Sequence, residues 1–271
     1  MKVFLILTLL VLTLTQCFAQ PCVIGETKTL VLYYSQTGVT KKVAEALQKQ
    51  LYADIEAIEV TKPYNGTYQD TISRCITEMK SNELPHIRPL KSDLKKYDTI
   101  FIGYPIWFGT YARPVITLVN TFKFAGKRII PFCTFGSGGL VESTEHIKKA
   151  LPMAHIGEGF GIREARISKL NSELDRFLKL TGFIDGVAEI YPEYSEQKEV
   201  TAEDIKIFND ACSSYKMPLG TPISVGSRKT NNGIDYLFYA NGKTPDGREI
   251  KSKIYVTVEK DKTPEFTLVV R

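Results

Sequence analysis

Three short segments carry side chains and backbone freedom suited to chemistry. The first is Ser35-Gln36-Thr37-Gly38-Val39-Thr40, between an apolar stretch and an amphipathic one. A helix starting there would expose unpaired N–H groups at the positive end of its dipole, a natural seat for an anion. Gly38 lets the backbone bend close to that anion, and hydroxyls at Ser35, Thr37 and Thr40 add donors for phosphate oxygens. By itself the segment also reads as an ordinary capped helix start. The second segment, Gly103-Tyr104-Pro105-Ile106-Trp107-Phe108-Gly109, holds three aromatics and the only tryptophan of the chain. Such residues suit stacking on a planar ring; the alternative is an apolar plug under the next helix. The third, Thr134-Phe135-Gly136-Ser137-Gly138-Gly139, has three glycines, which permit close approach of backbone to a ligand.

The elements around these segments decide what they can do together. Residues 29–34 read as a buried strand and residues 39–51 as a helix, with Val43, Ala44, Leu47 and Leu51 on one face. The alternation continues with strands at 54–60, 99–103, 128–133 and within 153–160. Helices are predicted near 68–81, 114–122, 141–151 and 168–181. Continuous apolar strands separated by helices imply a parallel sheet covered on both faces. All three segments then sit at strand ends, and ligands of such sheets bind where loops diverge at the switch point.

Together the segments resemble the flavodoxin family, most specifically at Tyr34 to Thr40, Pro105 to Thr110 and Pro131 to Gly138. The resemblance runs from about Leu30 to Phe183. It implies a flavodoxin-like, doubly wound α/β domain at residues 27–184, with five parallel strands in the order 2-1-3-4-5. The implied cofactor is FMN. Ser35, Gln36, Thr37, Gly38, Val39 and Thr40 would hold its phosphate. Tyr104, Pro105, Ile106, Trp107, Phe108 and Gly109, with Thr134, Phe135, Gly136, Ser137 and Gly138, would line its ring. Tyr104 and Trp107 are the expected stacking residues. The implied function is electron transfer to a redox partner protein or to a small acceptor such as a quinone, and an FMN-dependent oxidoreductase is compatible with it.

Residues 187–271 break the rhythm. Residues 201–215 read as a helix with Thr201 as its cap. Strands follow at 234–240, 249–258 and 265–270, an edge strand is expected at 222–227, and residues 192–196 read as a linker. This is a small α+β domain, a helix on an antiparallel sheet, and it resembles the cystatin scaffold. Lys229-Thr230-Asn231-Asn232-Gly233 stands where cystatins carry their inhibitory hairpin, and only the glycine matches. The competing function is therefore a binding module whose cystatin-like part recognises a protein partner, with protease inhibition disfavoured.

The N-terminus reads as an address. Lys2, an apolar run from Val3 to Leu14 and Cys17-Phe18-Ala19 compose a secretory signal at residues 1–19, cut after Ala19. A lipid anchor on Cys17 is the lesser alternative. The run is too short to span a bilayer, and no membrane span is expected elsewhere. In an oxidising compartment Cys22, Cys75, Cys133 and Cys212 permit disulfides of open connectivity. Cys133, closing an apolar strand, is expected buried and free. Asn65-Gly66-Thr67 is a glycosylation sequon.

Of the chain's 35 basic and 30 acidic residues, residues 187–271 hold 12 and 13, so the basic excess lies before them. It forms no Lys/Arg block, and no nucleic-acid partner is expected. Acidic flavodoxin shuttles differ from this basic domain, which bears on partners rather than on the cofactor. His86, His146 and His155 are scattered without ligand spacing, and no metal site is expected.

Overall fold

The structure is a computed structural model that describes residues 28–243 and 247–271. The signal, Cys17 and Cys22 lie outside the described residues.

β1 (Thr29–Tyr33), β2 (Asp54–Ala57), β3 (Thr99–Trp107), β5 (Arg128–Phe135) and β6 (His155–Ile156) form the sheet path β2-β1-β3-β5-β6. These five strands run parallel, in the expected order. Strand pleating sorts their side chains onto two faces. Leu30, Leu32, Ile100, Ile102, Ile129 and Cys133 enter one core, which α2 (Tyr68–Lys80), α3 (Arg113–Thr121) and α4 (Leu140–Ala150) cover with Cys75, Val115, Leu118 and Ile147. Val31, Phe101, Ile130 and Phe132 enter the other, under α1 (Val39–Leu51) and α5 (Leu170–Leu180) with Val43, Leu47, Leu174 and Leu178. At the sheet centre a Cβ on Gly103 would sit 2.0 Å from the Phe132 ring. That glycine is required by packing, not by a turn.

Two expected strands end too early. The third runs through the aromatic segment to Trp107 and folds back as β4 (Thr110–Tyr111). The fourth runs on to Phe135. The fifth is two pieces, β6 and β7 (Phe160–Arg163), both paired with β5. Between the pairs Ile129/Ile156 and Phe132/Phe160 the outer strand holds one residue more than β5. The extra residue falls in the unpaired stretch opposite Ile130 and Pro131, and Pro131 has no N–H for the ladder.

The second sheet is antiparallel, β12-β11-β10-β9-β8. It comprises β8 (Lys198–Glu199), β9 (Thr221–Thr230), β10 (Gly233–Lys243), β11 (Glu249–Glu259) and β12 (Glu265–Val270), with α6 (Ala202–Cys212) packed on it through Phe208 and Ala211. Thr201 and Asp204 cap α6 reciprocally. Residues 222–227 are interior, not an edge. The expected linker covers them: Ser195 N–H donates to the Ser227 carbonyl at 2.8 Å, and β8 pairs with β9 beyond it. Lys229–Gly233 falls at the β9–β10 hairpin.

Cys75 and Cys133 are buried, Cys212 is half-buried, and all three are free thiols. A Cys75–Cys212 bridge is thereby ruled out, and Cys133 is buried and free as expected. Burial pushes the Cys75 thiol up to about 11 and Cys212 up to about 12, and drives Cys133 higher still. Only the thiolate reacts, and at pH 8 a thiol of pKa near 11 is about one part in a thousand ionised. Maleimide labelling of the native chain at pH 8, followed residue by residue by mass spectrometry, is expected to be slow at all three positions. It should accelerate as pH rises, and become prompt in denaturant. Rapid native labelling of Cys75 would contradict its burial.

Candidate cofactor site

The C-terminal ends of β1, β3 and β5 lie side by side because β3 pairs with both neighbours. The three segments read from the sequence therefore converge. Thr40, buried on α1, hydrogen-bonds Thr134 of β5 through their hydroxyls at 2.8 Å, tying the first segment to the third.

Gly38 is the N-cap of α1, at φ +87°, and no side chain caps the helix. Its own N–H donates to Ser35 Oγ at 3.1 Å, tightening the turn. The first-turn N–H groups after it have no intrahelical acceptor. Thr37 is exposed, while Ser35 and Val39 are half-buried at the rim. Gln36 turns away: its amide donates to the Tyr64 carbonyl and to Thr71 Oγ1, at 3.1 and 2.6 Å. Gln36 thus braces the loop, and Thr40 links loop and strand. The open anion donors are the helix start and the hydroxyls of Ser35 and Thr37. This donor set suits a phosphate monoester.

The aromatic segment differs from expectation. Tyr104 is fully buried, and its hydroxyl donates toward Ser143 Oγ at 3.2 Å. It points into the core with Ile100 and Ile102 and cannot stack on a ligand. Pro105 pairs with Thr134 across the sheet, and Ile106 packs against Gly139. Trp107 and Thr110 close a two-residue turn in which Phe108 and Gly109 have φ +51° and +77°. Two consecutive positive φ values are the signature of a type I′ hairpin. A phenylalanine there is strained, a state that clusters at functional sites. Phe108 is 55% exposed. Trp107 is half-buried, edge-on to Tyr34 and Tyr64 with ring centroids 5.6 and 5.1 Å away. The aromatic wall is therefore Trp107 and Phe108, backed by Tyr34 and Tyr64.

Tyr64 escaped the sequence reading because it sits in a Pro-Tyr-Asn-Gly turn. It is fixed there by Arg74 over its ring at 3.8 Å and by donating to Glu78 at 2.8 Å. Glu78 in turn pairs with Arg74 and Arg113. Burial, with the hydrogen bond to Glu78 behind it, raises the Tyr64 phenol well above its usual range, so it stays neutral. His146 gains a partner that no sequence signal announced: Nδ1 lies 2.8 Å from Thr110 Oγ1, beside the hairpin.

In the third segment Thr134 and Phe135 are strand residues, both buried. Gly136 is exposed, and Ser137 and Gly138 are half-buried. Part of this loop faces the C-terminal sheet: Val269 N–H donates to the Ser137 carbonyl at 2.8 Å. Among the described residues no cluster of His, Cys, Asp or Glu could hold a metal ion, and no helix is long and apolar enough to cross a membrane.

Several solved structures resemble part of the chain. A protein from Bacteroides eggerthii assigned as a flavoprotein is 29% identical over 58% of this chain and 98% of its own, with a TM-score of 0.49. One from Bacteroides uniformis is 30% identical over 55% and 98%, with a TM-score of 0.49. A Lactobacillus acidophilus flavoprotein in complex with FMN is 24% identical over 53% and 98%, with a TM-score of 0.45. No curated protein matches the chain. The flavodoxin family matches residues 28–175, a stretch longer than half the chain that contains all three segments, and so this chain belongs to the flavodoxin family, with FMN as its cofactor.

Proposed function

We propose that the chain is an FMN electron-transfer protein of a secretory compartment. It would pass electrons to a partner protein or to a small acceptor such as a quinone. The observation that carries this reading is the uncapped, glycine-led start of α1, hydrogen-bonded through Thr40 to the end of β5 and flanked by the exposed hairpin at Phe108. Bound FMN supplies the redox chemistry. The first-turn N–H groups of α1, with Ser35 and Thr37, would hold its phosphate. Trp107 and Phe108 would flank the ring and exclude water from it. The backbone at Phe108 and Gly109, held in its strained turn, would supply hydrogen bonds that tune the potential. The secretory compartment is supported by the charged start and apolar run of residues 2–14.

FMN titration of the purified chain tests the reading. The expected result is one FMN per chain, with flavin absorption bands shifted from those of free FMN. The bound cofactor should be reducible by dithionite and reoxidised by a soluble quinone. A colourless protein that takes up no added FMN would sink it.

A further inference from the structure

The C-terminal sheet does not stand apart from the cofactor site. Besides the Val269–Ser137 hydrogen bond, a Cβ on Gly138 would lie 2.2 Å from the Val269 carbonyl oxygen. The third loop and β12 thus meet backbone to backbone, at a separation only glycine permits. Leu268 packs against the core that holds Tyr104 and Ile106. Arg163, at the end of β7, closes the junction. Its Nε donates to the Gly136 carbonyl at 2.8 Å and its Nη1 to the Phe266 carbonyl of β12 at 3.2 Å. Its guanidinium lies over the Phe266 ring at 4.6 Å.

Arg163 is only 9% exposed, and among the described residues no carboxylate stands within ion-pair distance of it. Its neighbours differ: Arg166 pairs with Glu265, and Lys169 with Glu259. A buried cation without an anionic partner is costly unless neighbouring groups are oriented toward it. Here the oriented groups are two carbonyls, one from the cofactor loop and one from β12.

The geometry points to Arg163 and β12 as positioning elements of the FMN site. The C-terminal domain holds the Gly136–Gly138 loop in the form that receives the cofactor, and Arg163 places a positive charge without a direct ion-pair partner behind that loop. This rests on the FMN reading above. Two consequences follow from physics alone. Binding energies are reciprocal: if β12 orders the loop for FMN, FMN must in turn steady β12. A fixed cation also favours the reduced cofactor. Uptake of two electrons and one proton leaves FMN with one more negative charge.

Hydrogen exchange on the full wild-type chain, with and without saturating FMN, tests the first consequence. Amides of residues 265–270 are expected to exchange at least fivefold more slowly with FMN bound. Unchanged exchange in β12 while FMN is bound overturns the proposal, and no variant need fold for that result. Arg163→Met is expected to weaken FMN binding about tenfold and to move the midpoint potential to more negative values. Arg163→Lys, which keeps the charge but not the two-pronged donor, should retain the potential better than the affinity. Wild-type affinity and potential in folded Arg163→Met also overturn it. Failure of the wild-type chain to take up FMN is a different outcome: it defeats the cofactor reading itself, and this inference with it.

Discussion

Gly38→Val is expected to weaken FMN binding roughly a hundredfold, which corresponds to about 3 kcal/mol. Space is not the obstacle, since a Cβ at Gly38 meets nothing within 4 Å. The obstacle is φ +87°. A β-branched residue is a genuine outlier there, at a cost of about 1–3 kcal/mol. The chain can relieve that strain only by rotating the Gly38 peptide. Rotation breaks the N–H bond to Ser35 Oγ and turns the first-turn N–H groups away from a common point. The loss therefore falls on anion binding more than on folding. A graded series sharpens the test. Gly38→Asn should be mildest, because asparagine visits the left-handed region more readily than other residues. Alanine should be intermediate and valine worst. FMN titration, with the melting temperature of the apo chain as control, reads both effects. If the valine variant binds FMN as tightly as wild type, the start of α1 is not the phosphate seat.

The sequence exposed what local periodicity encodes and hid what distant contacts decide. Gly38 and the hydroxyls of Ser35 and Thr37 lie between a strand and an amphipathic helix, so the glycine-led helix start proposed to seat the phosphate was legible. Strand order followed from the family resemblance, and the two-faced sheet from the run of apolar strands. The aromatic segment was misread at one point, with a definite cause. Pro105 argues against a central strand, yet the third strand runs past it to Trp107 rather than ending at Gly103. Carried to Trp107, the alternation places Tyr104 on the same face as Ile100 and Ile102, inside the core. Pro105 is tolerated because it lies beyond the tightly paired centre, next to the hairpin. Tyr64 and the His146–Thr110 contact were invisible because each depends on chain segments brought together only by the fold. The same holds for the seat of β12 on the third loop. Residues 137 and 269 have no local pattern in common, and only Gly138, read as freedom to approach a ligand, proves to be closeness to Val269.

The ion pairs at the junction make the second strong prediction. Arg166 is buried between Glu173 and Glu265, at 2.6 and 2.5 Å, and so joins α5 to β12. Removing one member of such a set strands the other charges, at a cost of about 3–5 kcal/mol when all are fully buried. The two carboxylates here keep about a third of their surface in water, which places Arg166→Met near the lower end, about 3 kcal/mol. For a chain of this size that is a fall of roughly 6–12 °C in melting temperature. The loss belongs to unpaired charge rather than to missing volume, because methionine fills much of the space. Accordingly, adding Glu173→Gln and Glu265→Gln to Arg166→Met should recover a good part of the stability, since neutral amides need no cation. If the single variant melts as wild type does, the pairs are solvent-screened and contribute little. If the triple variant melts lower than the single one, packing by the arginine stem, not charge, holds α5 to β12. Calorimetry on the three chains separates these cases, and the sign of the change from single to triple variant decides between charge and packing.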